Sequence, residues 1–491
     1  MMTPKILLFF LILVLPSFVW AQDTLSEVRS FNVESSYDSS KRSELPAVLI
    51  KISPQLYWYA DNDWWGKLAV EEQDKIKPSL NVLTEEFESK IYPVLTDAFG
   101  SEWNPGIDRD SRITILIHPM KKNSGGYTDT ADEYPKAQSP ESNEREMIYL
   151  NSDYIGNDIV KSFLAHEFVH LITFNQKDRA FNVSDDVWLN EARAEYAPTL
   201  LGYDQNYNGS NLQARVRDFL NSPFDSLTEW RESSADYGVL NLFTQYLADH
   251  YGIKILVDSL KTQKTGIDSL NAALLRSGFK TDFPQIFTEW AIAALINDCD
   301  ISEKYCYFNS NLKNFRVTPL INYLPLIGDS VLSVNNATKD WAGNWHKFIG
   351  GKGKLEVEFD TGNSWQFRVP YIIEDSQGNL SVKNLLLDAD KKGRIALEDF
   401  GDSYKSLTII LIAQNKISGF KGIQPSYPFF WSAATKSNIK EEPEAPVVNT
   451  SKEQQIATLK AQIMEAQLKI IDLLKQLIQL LLTQLNASAS M

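Results

Sequence analysis

The chain has 491 residues, of which 43% are hydrophobic and 12% aromatic. It can bury several hydrophobic cores, because one domain typically uses about 100 to 200 residues, so a largely disordered chain is excluded. Its 48 basic and 63 acidic residues give a net charge of -15, and this negative charge repels phosphate backbones. The composition therefore argues against a nucleic-acid partner.

The first 21 residues predict a cleavable export signal. Lys5 is followed by an apolar run over residues 6–20, and the small residue Ala21 stands at the expected cleavage point, as in signal peptides. An uncleaved membrane anchor is the alternative, but the run is shorter than the roughly 20 residues that a membrane span requires. We therefore expect an exported protein.

Residues 22–310 combine a polar segment, strand-like runs and a helical segment. Residues 22–46 are polar and rich in serine, so we expect a loose leader there. Over residues 47–156, strand-like runs such as 47–52 and 112–118 alternate with a helical pattern and a loop rich in Gly, Ser and Asp. Residues 157–310 are mainly helical. This order predicts an α+β domain with a small mixed sheet and a helical subdomain.

Three further segments follow. Over residues 318–434, β-branched and aromatic runs separated by turns predict an all-β, sandwich-like module. Residues 436–455 have the Pro- and Glu-rich composition of a linker. Over residues 456–486, apolar residues alternate spacings of three and four, which predicts a coiled-coil or amphipathic helix. Such a helix would join copies of the chain, bind a surface partner or lie against a membrane; packing back on its own protein is the alternative.

The two cysteines of the chain, Cys299 and Cys306, lie close together in sequence. In an exported protein, such a pair predicts a disulfide that closes a small loop, and two free thiols are the alternative.

The helical segment Phe163–Leu171 carries two histidines four residues apart. On a helix, His166 and His170 project from the same face, so both imidazoles can reach one metal ion, while Glu167 stands beside the open coordination position. Zinc-assisted hydrolysis requires this arrangement. The chain has only 5 histidines, which disfavours the alternative that two core histidines bracket an acid by chance.

A third ligand is expected on the following helix, because a catalytic zinc ion usually takes three protein ligands and leaves the fourth position to water. Glu191 and Glu195 are four residues apart in the segment Trp188–Tyr196 and share one helix face. We predict that Glu191 binds the metal and that Glu195 accepts a hydrogen bond from a liganding histidine. A solvated acidic face is the alternative, but this segment is largely apolar.

The two segments, His166–His170 and Asn190–Glu195, resemble the glutamate-zincin pattern of thermolysin-like peptidases. The resemblance is closest to the secreted neutral zinc metallopeptidases of the hyicolysin family, over roughly residues 46–297. It implies a bacterial, secreted or cell-surface zinc endopeptidase that acts on proteins or peptides. A metzincin is excluded, because that class requires Gly and His where this chain has Thr173 and Gln176.

The resemblance also implies roles for single residues. Zinc lowers the pKa of its bound water, and Glu167 would take the proton and pass it to the departing amine. The carbonyl oxygen of the substrate needs a further donor as it gains charge, and relatives place a tyrosine or histidine there. Tyr237 is the first choice by position and His250 the second. Asp236 is kept as an alternative metal ligand of the aspartate-zincin type.

Calcium is a further cofactor that secreted relatives often bind. Asp108 with Asp110, or Asp129 with Asp132, would supply the carboxylates, although acidic pairs in loops are usually only hydrated.

The sequence leaves alternatives open for the substrate-binding site and for the class of function. An extended peptide is expected to pair with the edge of the sheet, near Gly125–Tyr127 or residues 147–150. A zinc aminopeptidase is the alternative within the enzyme class. From a different class, the chain would be a surface adhesion or scaffold protein with an inactive zincin domain; the presence of Glu167 favours an enzyme.

Overall fold

The computed structural model describes residues 22–436, apart from residues 123, 327 and 363. The predicted export signal, the linker after residue 436 and the heptad helix at 456–486 lie outside the described residues. Helices and strands are mixed, so the α+β class is confirmed. In the part of the chain that is described, no helix is both long and apolar enough to cross a membrane.

The N-terminal sheet has six strands in the order β1-β2-β3-β4-β6-β5. Strands β3, β4 and β6 run parallel to one another, whereas β1, β2 and β5 are antiparallel to their neighbours. Every residue of β3, β4 and β6 is buried, as expected for parallel strands covered on both faces. The short strand β5 forms one edge. The strands are β1 (Val28–Asn32), β2 (Glu44–Ile52), β3 (Leu56–Asp61), β4 (Ile113–His118), β5 (Gly126–Tyr127) and β6 (Met147–Asn151).

The segment that we expected to be a loose leader is ordered instead. It contains β1, and its polar residues alternate with Phe31 and Val33, whose side chains are buried against the sheet. Near its start, the buried carboxylate of Asp23 accepts two hydrogen bonds from Arg145, which lies 122 positions away. Composition alone could not predict this order, because the contacts that produce it are long-range.

Helices cover the sheet and form the subdomain that follows it. Side chains of α2, α3 and α4 share one core with β3, β4 and β6, and α5 packs between α4 and α7. After α10, a disulfide joins Cys299 and Cys306. The helices are α1 (Asn62–Lys67), α2 (Val70–Glu86), α3 (Tyr92–Phe99), α4 (Val160–Thr173), α5 (Val187–Leu200), α6 (Asn211–Asn221), α7 (Ser234–Tyr251), α8 (Lys254–Leu260), α9 (Gly266–Arg276) and α10 (Phe283–Ile296).

The C-terminal module consists of two groups of strands, β12-β11-β14-β9-β7 and β13-β10-β15-β8. One residue pair, Phe400 and Tyr404, joins the groups, and both groups contribute to one buried core. The strands are β7 (Leu320–Leu324), β8 (Ser330–Lys339), β9 (Asn344–Gly350), β10 (Gly353–Asp360), β11 (Phe367–Asp375), β12 (Leu380–Leu385), β13 (Lys392–Phe400), β14 (Tyr404–Ala413) and β15 (Ser426–Lys436).

Strand β14 connects this module to the helical subdomain. Because side chains alternate between the faces of a strand, Ile410 and Ile412 enter the core of the helices, whereas Ile409 and Leu411 enter the core of the module. From β9, Trp345 also enters the helical core and donates a hydrogen bond to the backbone oxygen of Ala291. The module therefore supports the helices directly.

His346 on β9 makes the module sensitive to acid. Its side chain is buried against Phe429 and Trp431, and its Nδ1 atom has no hydrogen-bond partner among the described residues. Burial lowers the pKa of this imidazole to about 4, below its ordinary value of about 6.5. On acidification the unfolded chain binds the proton first, so stability is lost as the pH falls below about 6.5.

We predict that His346→Phe reduces this acid sensitivity, since phenylalanine keeps the aromatic packing and does not titrate. Between about pH 7 and pH 4.5, the free energy of unfolding of the variant should fall by about 2 kcal/mol less than that of the wild type. Urea denaturation at both pH values measures the difference. An equal fall in both proteins would contradict this account.

Candidate metal centre

Helix α4 presents two histidines on one face. Leu164 and Phe168 of the same helix are packed into the main core, which fixes the rotation of the helix about its axis. His166 and His170 are one turn apart, and their Nε2 atoms lie 3.2 Å from each other. Both imidazoles therefore converge on one point beside α4.

Glu191 on α5 completes a group of three ligand atoms. Its Oε2 lies 3.3 Å from Nε2 of His166, and its Oε1 lies 3.6 Å from Nε2 of His170. Ligand atoms about 2.0–2.2 Å from a tetrahedral ion are about 3.3–3.6 Å apart, so these separations fit one ion. Oε2 of Glu191 is also buried without a hydrogen-bond partner in the described structure. A buried oxygen usually has a partner, and a bound cation would supply one here.

The group is distinctive within the described residues. There, a single set of three or more His, Cys, Asp or Glu side chains brings its ligand atoms within 4.8 Å of one another, and that set is His166, His170 and Glu191. The sequence analysis predicted the same three side chains as ligands.

Each histidine is oriented through its other ring nitrogen. Nδ1 of His166 lies 3.3 Å from Oε1 of Glu195, and Nδ1 of His170 lies 3.3 Å from Oδ1 of Asn190. A proton on each Nδ1 is donated to these oxygens, which leaves each Nε2 lone pair available to a metal. Glu195 thus lies within hydrogen-bonding distance of His166.

Arg215 on α6 holds Glu195 in place. Its Nε and Nη2 atoms donate to the carboxylate at 2.8 and 2.7 Å, a bidentate pair, and Asn211 donates to the same carboxylate at 2.9 Å. Burial raises the pKa of Glu195, but Arg215 and His166 outweigh burial and hold this pKa well below its ordinary value. Glu195 is therefore ionised at neutral pH.

The sequence analysis missed Arg215 and Asn211. They lie on a separate helix, 20 and 16 positions after Glu195, so no local pattern links them to it. Two signals point to them in retrospect. They are four residues apart and share one face of α6, and a buried carboxylate requires donors.

The carboxylates give the ligand group a preference for cations. Burial lowers the pKa of His166, but the adjacent carboxylates of Glu191 and Glu195 outweigh burial and raise this pKa well above its ordinary value. The same negative charges favour a divalent cation between the ligand atoms.

Glu167 lies against the edge strand β5. Thr128, directly after β5, donates a hydrogen bond of 3.4 Å to its Oε2, and a Cβ atom added to Gly126 would come within 3.3 Å of its Cγ. Burial raises the pKa of Glu167 to about 7, while the charge of His166 opposes this rise. The expected general base thus lies against the edge of the sheet, next in sequence to His166.

Tyr237, in the first turn of α7, also lies beside the ligand group. Its ring centroid is 6.4 Å from that of His166, and the Arg215 guanidinium lies 4.5 Å from the centroid of the tyrosine ring. Burial raises the pKa of Tyr237, and the charges of Glu191 and Glu195 raise it further. The phenol therefore keeps its proton and can donate it in a hydrogen bond.

Two alternatives from the sequence analysis are wrong. His250 follows Tyr237 by 13 residues on α7, about 20 Å along the helix axis, and its Nε2 lies 2.9 Å from the backbone oxygen of Cys306. Asp236 accepts backbone hydrogen bonds from Arg231 and Ser233 and so caps α7. Among the described residues, neither side chain belongs to the group of ligand atoms.

The acidic pairs considered for calcium are also engaged locally. Asp108 accepts the backbone N–H of Asp110, and Asp110 pairs with Arg112 at 3.0 Å. Asp129 caps the short turn that contains Asp132. These contacts give calcium binding no support.

Comparison with known proteins identifies one metalloprotease relative. No family model matches the chain. The chain is 27% identical over 278 residues to the neutral metalloprotease ShpI of Staphylococcus hyicus. The aligned region covers 51% of this chain and 58% of the relative, so the chain spans less than two thirds of that protein. The similarity supports a metallopeptidase relationship for this chain.

Solved structures give only weak matches. The pre-peptidase C-terminal domain of collagenase from Bacillus anthracis has a TM-score of 0.16 and 5% identity, covering 24% of this chain and 96% of that domain. The lysozyme inhibitor PliG of Aeromonas hydrophila has a TM-score of 0.15 and 9% identity, covering 24% of this chain and 98% of that protein. These scores carry no argument about fold or function.

We predict that the ligand group binds one zinc ion per chain. His170→Ala and Glu191→Gln should reduce the zinc content, measured by elemental analysis after gel filtration, from one per chain to nearly none. Glu195→Gln should weaken binding by about 10- to 100-fold. Asp236→Asn is the control and should retain the ion; loss of zinc in that variant alone would contradict the ligand assignment.

Proposed function

We propose that this chain is an exported, zinc-dependent endopeptidase of the glutamate-zincin type, similar to the hyicolysin family. The observation that carries the proposal is the convergence of His166, His170 and Glu191 beside Glu167. Two imidazoles and one carboxylate are a donor set that suits zinc, and three protein ligands leave one position open for water. The relationship to a neutral metalloprotease supports the same reaction class.

The ligand group would hold zinc, and Glu167 would move the proton. A bound zinc ion supplies Lewis-acid chemistry, which makes water more acidic and stabilises negative charge on a carbonyl oxygen. Glu167 is buried, and its pKa of about 7 suits a group that takes a proton from water and returns it to the departing amine at neutral pH.

Tyr237 is proposed as the additional hydrogen-bond donor to the carbonyl oxygen. Its neutral phenol lies beside His166, and Trp230 packs edge-on against its ring with centroids 5.0 Å apart, which restricts the orientation of the ring. A fixed donor of this kind stabilises charge that develops in the transition state.

The edge of β5 is proposed as the site that orients the substrate. This strand is paired with β6 on one side, and its other edge has no partner among the described strands. An extended polypeptide can add to such an edge through backbone hydrogen bonds. Because Gly126 and Thr128 lie next to Glu167, a strand added there would bring a peptide bond close to the general base.

Glu167→Gln is the decisive variant for the reaction. We expect kcat on an internally quenched peptide with blocked ends to fall about 10²- to 10⁴-fold, because glutamine cannot accept the proton, while zinc content stays at one per chain. Blocked ends distinguish an endopeptidase from an aminopeptidase. Undiminished hydrolysis by the variant would reject Glu167 as the base, and a wild type that hydrolyses no peptide would favour the inactive scaffold alternative.

Tyr237→Phe tests the proposed donor in the same assay. We expect kcat to fall about 10²-fold, as for the loss of other donors to a developing oxyanion, with little change in zinc content. Tyr251→Phe, at the far end of α7, is the matched control and should keep wild-type kcat. Equal rates for Tyr237→Phe and wild type would reject the assignment.

A further inference from the structure

Three tyrosine rings form a stack across the edge of the N-terminal sheet. Tyr149 on β6 and Tyr127 on β5 are direct cross-strand partners, and their rings are nearly parallel with centroids 4.2 Å apart. Tyr37 stacks on Tyr127 with a centroid separation of 4.7 Å. Two rings cannot share one face of a third ring at such distances, so Tyr149 and Tyr37 cover opposite faces of Tyr127.

The Tyr37 ring therefore lies where a side chain of a further strand, paired with β5, would lie. Neighbouring strands of a sheet are about 4.7–4.9 Å apart. The ring centroids of Tyr127 and Tyr37 are separated by the same distance, and Tyr37 lies on the side of Tyr127 opposite to Tyr149. Tyr37 does not belong to a strand. It lies in the connection between β1 and β2, so its ring fills a side-chain position while the β5 edge has no strand partner among the described residues.

The Tyr37 ring is held at both ends. The backbone oxygen of Tyr37 accepts a hydrogen bond from the N–H of Lys121 at 2.8 Å. The next residue, Asp38, has a buried carboxylate that lies 3.3 Å from Nδ1 of His118. At the other end, the Tyr37 hydroxyl donates a hydrogen bond to Glu232, in the loop before α7. These contacts join the β5 side of the site to the α7 side.

The ring also lies close to the candidate catalytic groups. Burial, followed by the carboxylates of Glu232, Glu167 and Glu191, raises the pKa of the Tyr37 hydroxyl. Tyr37 in turn contributes to the raised pKa of Tyr237. The outer ring of the stack is thus within electrostatic range of the proposed general base and of one proposed ligand.

We propose that the Tyr37 ring determines substrate specificity by filling the side-chain position next to Tyr127 on a substrate strand paired with β5. Side chains of a strand alternate between its two faces, so one substrate residue in this register turns toward the ring. That residue has to be small, because the ring takes the space that a larger side chain would need. This inference rests on the proposed peptidase function and names a specificity determinant for it.

The test is the cleavage profile of a random peptide library, with the zinc-loaded full chain. In the wild type, one position at a fixed distance from the cleaved bond should accept only Gly, Ala or Ser. Tyr37→Ala should open that position, so that cleavage of peptides with Leu or Phe there rises about tenfold or more relative to Gly. Tyr37→Val is a second variant without the ring and should open the same position.

Two variants that keep the ring serve as controls. Tyr37→Phe and Glu232→Gly both remove the hydrogen bond between these residues, and glycine suits the positive φ of 59° at Glu232. Both should retain the restriction, because the ring remains stacked on Tyr127. Zinc content and circular dichroism of each variant establish that it is folded.

Binding provides a readout that does not depend on turnover. Fluorescence anisotropy of labelled peptides with Gly or Phe at the restricted position can be measured on Glu167→Gln and on Glu167→Gln with Tyr37→Ala. The second protein should bind the Phe peptide about tenfold more tightly than the first does, with little change for the Gly peptide.

The outcomes separate the two proposals. A wild type that cleaves no peptide would overturn the proposed function. A wild type that cleaves peptides without a small-residue restriction at any position would overturn only the role of Tyr37. The same holds if Tyr37→Ala and Tyr37→Val leave the profile unchanged, or if Tyr37→Phe opens the position as widely as Tyr37→Ala does.

Discussion

The packing of α4 against α5 is the contact on which the candidate metal centre depends. It brings two imidazole nitrogens on α4 and the two carboxylate oxygens of Glu191 on α5 to separations of 3.2 to 3.6 Å, and a relative shift of about 1 Å would spoil the geometry that one ion requires. Leu164 and Phe168 on α4 and Trp188 and Leu189 on α5 are buried in one continuous core. Because protein interiors are close-packed, these side chains set the spacing of the two helices.

Buried charge is the cost of this arrangement. A carboxylate away from water is unfavourable unless it is paired, and Glu191 and Glu195 both approach the same histidine. Arg215 compensates Glu195 directly. The C-terminal module contributes further support, because Glu229, in the loop before α7, pairs with Lys339 and accepts the backbone N–H of Gln424. The loop that leads to Tyr237 is therefore anchored in the module.

Local patterns were sufficient to predict the α+β class and to select the three side chains of the candidate ligand group. The spacing of His166 and His170 determines that they share a helix face, and the same holds for Glu191 and Glu195. Two side chains around this group, Arg215 and Tyr37, could not be predicted in this way. Arg215 reaches Glu195 from another helix, and Tyr37 reaches β5 from a segment whose polar composition indicated a loose leader. The choice of His250 as a second candidate donor was wrong because it rested on residue type. On α7, this histidine lies 13 residues beyond Tyr237.

X-ray absorption at the zinc edge of the metal-loaded chain tests the central claim most directly. The account predicts nitrogen and oxygen ligands at about 2.0–2.2 Å, with the multiple-scattering signal of two imidazoles and without sulfur. In His170→Ala, any ion that remains should show a single imidazole. A wild-type spectrum with three imidazoles, with none, or with a sulfur ligand at about 2.3 Å would contradict the proposed centre.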